Sequence, residues 1–344
     1  MKKFLTTLFA IIMSAVMLMF VGCSEAGESI YSGNYTEANG ETLYESVETL
    51  GSGSNFTPTE DKNAGLSIKL SMKATTKSDS TTTYTESDTV EKYSSSQSLN
   101  MSLSGKFVTT LEDTGVTPLA DLDVALKSSF NENMPEETIK TSTDINANLL
   151  LKNDGLFVET SQSNTINGET VTNSAKTQMT LEQLQMMISN LLSQIMGNMQ
   201  GSMPNVNEMS KQEIVATIDN LTQNAGIRVA LDTSKGTKIK IDLSDKDKFI
   251  AFINSASGVP TEIEVDIDLK KCELYLIFDE DGNFSAFKFA FSYDSSSTQT
   301  EVESDYTSVN NNDASISISA EIKFYDGDVS LPEINPDDYA EFVA

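Results

Sequence analysis

Ala64-Gly65-Leu66-Ser67-Ile68-Lys69-Leu70-Ser71-Met72-Lys73-Ala74 decides how the rest of the chain is read. Leu66, Ile68, Leu70, Met72 and Ala74 fall on one side of an extended backbone, and Ser67, Lys69, Ser71 and Lys73 on the other. A period of two marks a strand with one buried and one solvated face, the ordinary condition of an antiparallel sheet. The period returns at Leu99, Met101 and Leu103, and at Leu122, Val124 and Leu126. It continues weakly over 138–149 through Ile139, Thr141, Thr143, Ile145 and Ala147, with Ser- and Thr-rich runs such as 81–90 in between. Asn153-Asp154-Gly155 supplies a hairpin, because glycine after aspartate takes the positive φ such turns need. Long antiparallel strands joined by hairpins follow.

Further strands are expected over 227–231, 237–243, 262–269, 271–278, 284–293 and 315–325, with Asp281-Gly282-Asn283 turning one hairpin. The polar run 295–312 reads as a long excursion between strands. No fixed repeat period is visible, which argues against solenoids and propellers.

Between the two sets of strands the pattern becomes helical. Thr180-Leu181-Glu182-Gln183 reads as a capping box, followed by an apolar stripe of Leu184, Met187, Ile188, Leu191, Leu192, Ile195, Met196 and Met199. No charge interrupts residues 183–207, and Gly197, Gly201 and Pro204 end the stripe. A second helix starts at Ser210, with Glu213 closing another box and Ile214, Ile218, Leu221 and Ala225 on one face. A third follows Ser244-Asp245-Lys246-Asp247, carries Phe249, Ile250, Phe252 and Ile253, and stops at Gly258-Val259-Pro260. The fold class is therefore α+β: a long, curved antiparallel sheet, a half-barrel or open barrel, with about three helices on or over its concave face.

The start of the chain addresses it for export. Lys2 and Lys3 precede an apolar run over 4–20, and Gly22 stands before Cys23. Phe20-Val21-Gly22-Cys23 resembles the bacterial lipobox, whose cysteine is lipidated and becomes the new N-terminus; Phe20 stands where that motif usually has leucine. A leader cleaved without lipidation and a retained single-span anchor are the alternatives, and each places the chain outside the cytosol. The expected order is a signal peptide (1–22), a flexible Ser-, Gly- and Thr-rich tether (23–62) containing Gly51-Ser52-Gly53-Ser54, the sheet domain (63–335) with its helical insertion (180–225), and a C-terminal tail (336–344). The location that follows is the extracytoplasmic face of the cell membrane, held by lipid at Cys23.

Composition narrows the function. The formal net charge is −28, which argues against nucleic acid as a partner because phosphates would be repelled. There is no histidine, so Ser-His-Asp and Cys-His catalysis and histidine-ligated metal sites are excluded. No cofactor and no metal ligand set is expected. With Cys23 committed to lipid, Cys272 has no disulfide partner, and in the alternating run Cys272, Leu274, Leu276, Phe278 it reads as a small buried hydrophobe. Glu262, Glu264, Asp266 and Asp268 line one side of a strand; a solvated face paired to Lys238 and Lys240 is favoured over a calcium site, since alternate strand residues cannot wrap one ion. Asp279-Glu280-Asp281-Gly282 lacks the later glutamate of a calcium loop and reads as a turn.

Alternating strands, a helical insertion, the lipobox-like start and a last strand of Ile316, Ile318, Ala320, Ile322 and Phe324 running into Asp326-Gly327-Asp328-Val329-Ser330-Leu331-Pro332 resemble the LolA-like lipid and lipoprotein carriers. The resemblance is architectural, spans about 64–332 and has no signature motif behind it. It implies a half-barrel whose concave face holds acyl chains under a helical lid. The candidate lining is Leu184, Met187, Ile188, Leu191, Ile195, Met196 and Met199 with the aromatic row Phe287, Phe289 and Phe291. Core packing explains the same stripe equally well. Two functions follow, neither enzymatic: a membrane-tethered carrier of a lipid or other apolar small molecule, or a structural or protein-interaction surface lipoprotein with a self-filled core. The partners implied are the membrane, an apolar ligand and a cell-envelope protein. Cys23→Ala should abolish incorporation of a fatty-acid analogue and move the protein from the membrane to the soluble fraction or to an uncleaved precursor; equal labelling of the variant would refute the lipidated cysteine.

Overall fold

The alternation that begins at Ala64 forms the middle of a very wide sheet. The structure, a computed structural model, describes residues 29–48, 50, 63–112, 115–135, 137–152, 155–180, 182–183, 210–257, 265–326 and 331–341. The leader, Cys23 and the Met-rich stripe over 184–209 lie outside the described residues.

Two short strands, β1 (Thr36–Glu37) and β13 (Ala340–Glu341), flank eleven longer ones. Six come first: β2 (Ala64–Tyr84), β3 (Val90–Glu112), β4 (Gly115–Asn133), β5 (Thr138–Lys152), β6 (Gly155–Ile166) and β7 (Glu169–Met179). Five follow the helical insertion: β8 (Ile227–Asp232), β9 (Thr237–Leu243), β10 (Val265–Phe278), β11 (Phe284–Val302) and β12 (Tyr306–Asp326). Among the described residues these make one 13-stranded sheet in the order β1-β8-β9-β10-β11-β12-β2-β3-β4-β5-β6-β7-β13. It is curved and unclosed, and every pairing is antiparallel except β13 on β7. The expected α+β half-barrel class is the observed one.

Register turns the separate alternations into continuous apolar rows. Ile241, Leu274, Phe289, Ala320, Leu70, Leu103, Val124 and Ala147 stand opposite one another from β9 to β5. Three helices, α1 (Gly40–Glu48), α2 (Lys211–Asn224) and α3 (Lys246–Ser257), cover this face at the β8–β11 side. Leu43, Val47, Ile214, Ile218 and Phe249 meet Val229, Leu231, Ile239, Leu274, Leu276 and Phe278 there, all buried. The Ser210 box forms as expected: Glu213 N–H donates to Ser210 Oγ at 3.3 Å and Ser210 N–H to Glu213 Oε2 at 2.7 Å. The Thr180–Gln183 box forms likewise, at 2.9 and 3.3 Å, ahead of residues that are not described.

Four expectations are corrected. The stretch 29–48 is folded rather than part of a tether: Gly40 N–H donates to Asp219 Oδ1 at 2.7 Å, β1 pairs with β8, and Leu43, Val47 and the following Leu50 are core. Two apolar residues four apart are too short a pattern to announce a nine-residue helix, and packing on α2 supplies what propensity does not. The run 295–312 is an excursion only at its 303–305 turn; Ser297 to Val302 ladder against Thr307 to Asn312. From Val265 onward, the strands expected over 262–269 and 271–278 are the single β10, bulged at Lys270. The C-terminal tail is also built in, with Tyr339 buried on Phe157 at 5.2 Å and Ala340–Glu341 paired to β7.

Beyond Ala74 and its neighbours the strands lose their apolar side. Short polar side chains bridge adjacent strands instead: Ser78 to Asn312 at 2.7 Å, Ser98 to Ser129 at 2.7 Å, Thr298 to Asn311 at 2.9 Å and Thr165 to Thr170 at 2.8 Å. Each such cross-strand pair contributes roughly 0.2–1 kcal/mol. The outer half of the long strands is thus mostly Ser, Thr and Asn, with single exposed apolar side chains such as Val90, Phe130 and Val302.

Leu43→Ala should lower unfolding free energy by about 2–5 kcal/mol, as expected for a fully packed leucine. Ser52→Ala, inside the Gly-Ser stretch, should leave the denaturant midpoint unchanged; equal and negligible effects would restore the tether reading for residues 40–48.

Candidate functional site

Each strand carries a second side, and on it the register gathers hydroxyls and carboxylates. Asp268, Asp294, Ser315, Thr75, Ser98 and Ser129 form one row across β10, β11, β12, β2, β3 and β4. Asp266, Ser296, Asp313, Lys77 and Ser96 form the next. Together they floor a trough of about 520 Å³. A second trough of about 480 Å³ lies over β3–β7, floored by Ser102, Ala125, Asn146, Ser161 and Ser174 with Ser104, Asp123, Asn148, Glu159 and Lys176. Short side chains in register make the hollow, while twist gives the sheet its curvature.

Several charges within the troughs are locally paired. Asp268 meets Lys270, whose hydrogen bond holds the Asp268 carboxyl below its ordinary value, and Lys270 also lies 3.4 Å from Asp294. For Asp266 and Asp268 the expected pairing to Lys238 and Lys240 does not form, because β9 faces residues 273–278 of β10. Lys238 donates to Ser32 O at 2.7 Å, and Lys240 sits 2.7 Å from Asp242. Glu262 and Glu264 lie outside the described residues. In the second trough Lys176 and the Tyr339 hydroxyl, at 2.8 and 2.5 Å, hold Glu159 below its ordinary value, and Asn148 donates to Asp121 and Asp123 at 3.0 and 3.1 Å. Among the described residues no three His, Cys, Asp or Glu side chains are placed to hold a metal ion. The Ser98 hydroxyl shares a hydrogen bond with the Ser129 hydroxyl at 2.7 Å. Such an arrangement offers hydrogen bonds and charge to a hydrated partner.

The aromatic row proposed as ligand lining sits on the opposite face. Phe289 and Phe291 are 6% and 4% exposed within the helix-covered core, with Phe287 packed beside them, and none of the three lines a trough. Leu184, Met187, Ile188, Leu191, Ile195, Met196 and Met199 lie outside the described residues. Cys272 is core as well, its thiol pushed up to about 12 by burial and then by Asp242 and Glu273.

A feature that the sequence did not announce is a clamp on the polar face. Tyr31 is 5% exposed against Ile277 and Ala286, with Lys288 Nζ 5.0 Å and Lys323 Nζ 5.8 Å from its ring centre. These are cation–π distances. Beside it Glu321 is buried, 3.2 Å from Lys323. Burial, and next the Glu321 carboxylate, push the Tyr31 phenol far above its ordinary range; burial alone lowers Lys323. Asn34 N–H donates to Asp232 at 3.1 Å and the Tyr35 hydroxyl to Tyr31 O at 2.9 Å. The segment then rounds the β8 edge as β1 and reaches the apolar face as α1. A single tyrosine in a polar stretch carries no periodic signal, so only the fold could show this contact.

No family model and no curated protein matches the chain. Among solved structures, the toluene transporter TodX of Pseudomonas putida aligns over 88% of this chain and 99% of its own, at 8% identity and a TM-score of 0.12, a likeness too slight to carry any argument.

The clamp makes stability fall at alkaline pH. The folded phenols of Tyr31, Tyr35 and Tyr275 are raised chiefly by burial, Tyr275 to about 12, whereas unfolded phenols ionise near pH ~10. The fold therefore keeps protons that the unfolded chain releases: stability is intact below pH ~10 and is lost as pH rises through the folded values. Lys323, lowered by burial, acts in the opposite sense. Urea midpoints from pH 8 to 12 should drop less steeply in Tyr31→Phe than in the parent, and parallel profiles would exclude Tyr31 as a source.

Proposed function

We propose that this chain is a membrane-anchored, extracytoplasmic lipoprotein that works without catalysis, as a structural or interaction module presenting a polar sheet surface to a hydrophilic partner. The observation that carries this reading is the division of the faces. The apolar face is filled by the protein's own helices where Phe289 and Phe291 lie, while the troughs open on the Ser-, Thr- and Asp-lined face. Apolar-ligand sites are lined mainly by hydrophobic side chains, which these troughs are not. The lipobox-like cysteine supplies the anchor, and the net charge of −28 supports a partner other than nucleic acid.

One observation favours the second reading, a carrier of an apolar ligand. Leu70 and Met101, diagonal neighbours on the apolar face of β2 and β3, are 39% and 42% exposed. Native mass spectrometry of the soluble body, with titration by an apolar dye, separates the two. The expected result is a bare mass and no saturable dye binding. Co-purifying lipid that disappears in Leu70→Ser/Met101→Ser would replace the interaction module with the carrier.

A further inference from the structure

The clamp at Tyr31 changes what the lipid anchor can do. Were residues 23–62 a free tether, the sheet could sit at any height and angle above the lipid. Instead the chain is built into the fold from Ser29 onward, through Tyr31, the Lys238 contact to Ser32 and the β1–β8 pairing. Only Ser24, Glu25, Ala26, Gly27 and Glu28 separate Cys23 from that point. At about 3.5 Å per residue, fully extended, six steps reach about 20 Å.

The place where the leash enters is at one end of the sheet. Tyr31 packs on Ile277 and Ala286, beside the turn that joins β10 to β11. From Ala286 the β11 strand runs out to Val302, about 50 Å at 3.3 Å per residue, before the turn at residues 303–305. The β2–β3 turn lies next to that one, with Thr85 N–H donating to Asp305 O at 2.8 Å. Both outer turns are acidic, carrying Glu86, Asp88, Glu303 and Asp305. The exposed Tyr84 and Tyr93 hydroxyls both bond Glu91, so lowering these rings into a headgroup layer would carry a carboxylate with them. The β10–β11 turn is acidic too, with Asp279, Glu280 and Asp281, so charge does not choose between the two ends; the length of the leash does.

We propose that the lipidated protein stands on its β10–β11 turn, with that end facing the membrane within reach of the leash and the β2–β3 and β11–β12 turns pointing away from it. This rests on the lipidation of Cys23 and adds the orientation that the anchor imposes. The surface that meets the lipid is then the acidic turn at residues 279–282, held there by covalent attachment and not inserted.

The test uses the full lipidated chain in vesicles of phosphatidylcholine and phosphatidylglycerol containing an acceptor-labelled lipid. Glu280→Cys at the near turn and Ser304→Cys at the far turn each carry a donor dye; Cys272 is buried and Cys23 is occupied. Energy transfer should be severalfold stronger from position 280 than from 304. A twenty-residue Gly-Ser spacer inserted between Ala26 and Gly27 should reduce transfer from 280 while leaving the melting temperature unchanged. Equal transfer from the two positions in vesicle-bound protein overturns the orientation, and so does a spacer without effect at 280. Failure of the parent protein to float with vesicles is a different result: it removes the lipid anchor itself, and the orientation with it.

Discussion

The ladder between β2 and β12 is the contact on which the rest of the sheet depends. All 21 residues of β2 pair with β12, from Ala64 opposite Asp326 to Tyr84 opposite Tyr306. It is the one neighbour relation among the long strands that chain order does not supply, since β2 to β7 and β8 to β12 are otherwise meanders. Without it the protein would be two sheets, each with an open edge. Closing so long a loop costs entropy before any contact forms, so the ladder has to be long to offset it. Gly65 fits this seam because Tyr325 lies over it: a Cβ there would come within 2.6 Å of the Tyr325 ring. Folding dominated by pairings this distant in sequence is expected to be slow.

A second constraint is how far the apolar rows extend. Hydrophobic burial needs a covering layer, and among the described residues α1, α2 and α3 cover the β8–β11 side near one end. Where the rows run out, the backbone ladder continues alone, fastened by Ser, Thr and Asn contacts whose individual contributions are small. Mostly polar residues, with apolar ones such as Val90 and Val302 scattered singly, let the strands be long without a contiguous apolar surface for aggregation. The same economy shapes function: short hydroxyl side chains in register leave hollows, and carboxylates at their rims set the charge of whatever can enter.

The terminal segments finish the sheet at its two edges. β1 extends β8 on one side and β13 extends β7 on the other, each only two residues long. Short strands blunt an edge that would otherwise offer unpaired backbone groups to another chain. Tyr31 and Tyr339 do comparable work at opposite sides of the polar face. Each is buried beside a carboxylate, Glu321 or Glu159, and each has a lysine over its ring, Lys288 or Lys176.

What the amino-acid order determined by itself is whatever repeats locally. A period of two over 64–74, Asp-Gly at a turn and a Ser-x-x-Glu box each need only a few neighbouring residues, and those residues suffice to place strands, hairpins and α2. The lipobox-like cysteine and the absence of histidine are likewise local facts. Tertiary structure alone decided that 295–312 is largely strand, because serine and threonine without an apolar partner show no period, and only pairing with β2 and β11 extends them. It alone turned residues 29–48 from linker into strand and helix, since Leu43, Val47 and Tyr31 gain their burial from residues far along the chain, such as Ile214, Ile218 and Ile277. And it moved the candidate site from the aromatic row to the polar face: alternation tells which residues share a side, but which side is sealed depends on where the helices pack, a choice made by non-local contacts.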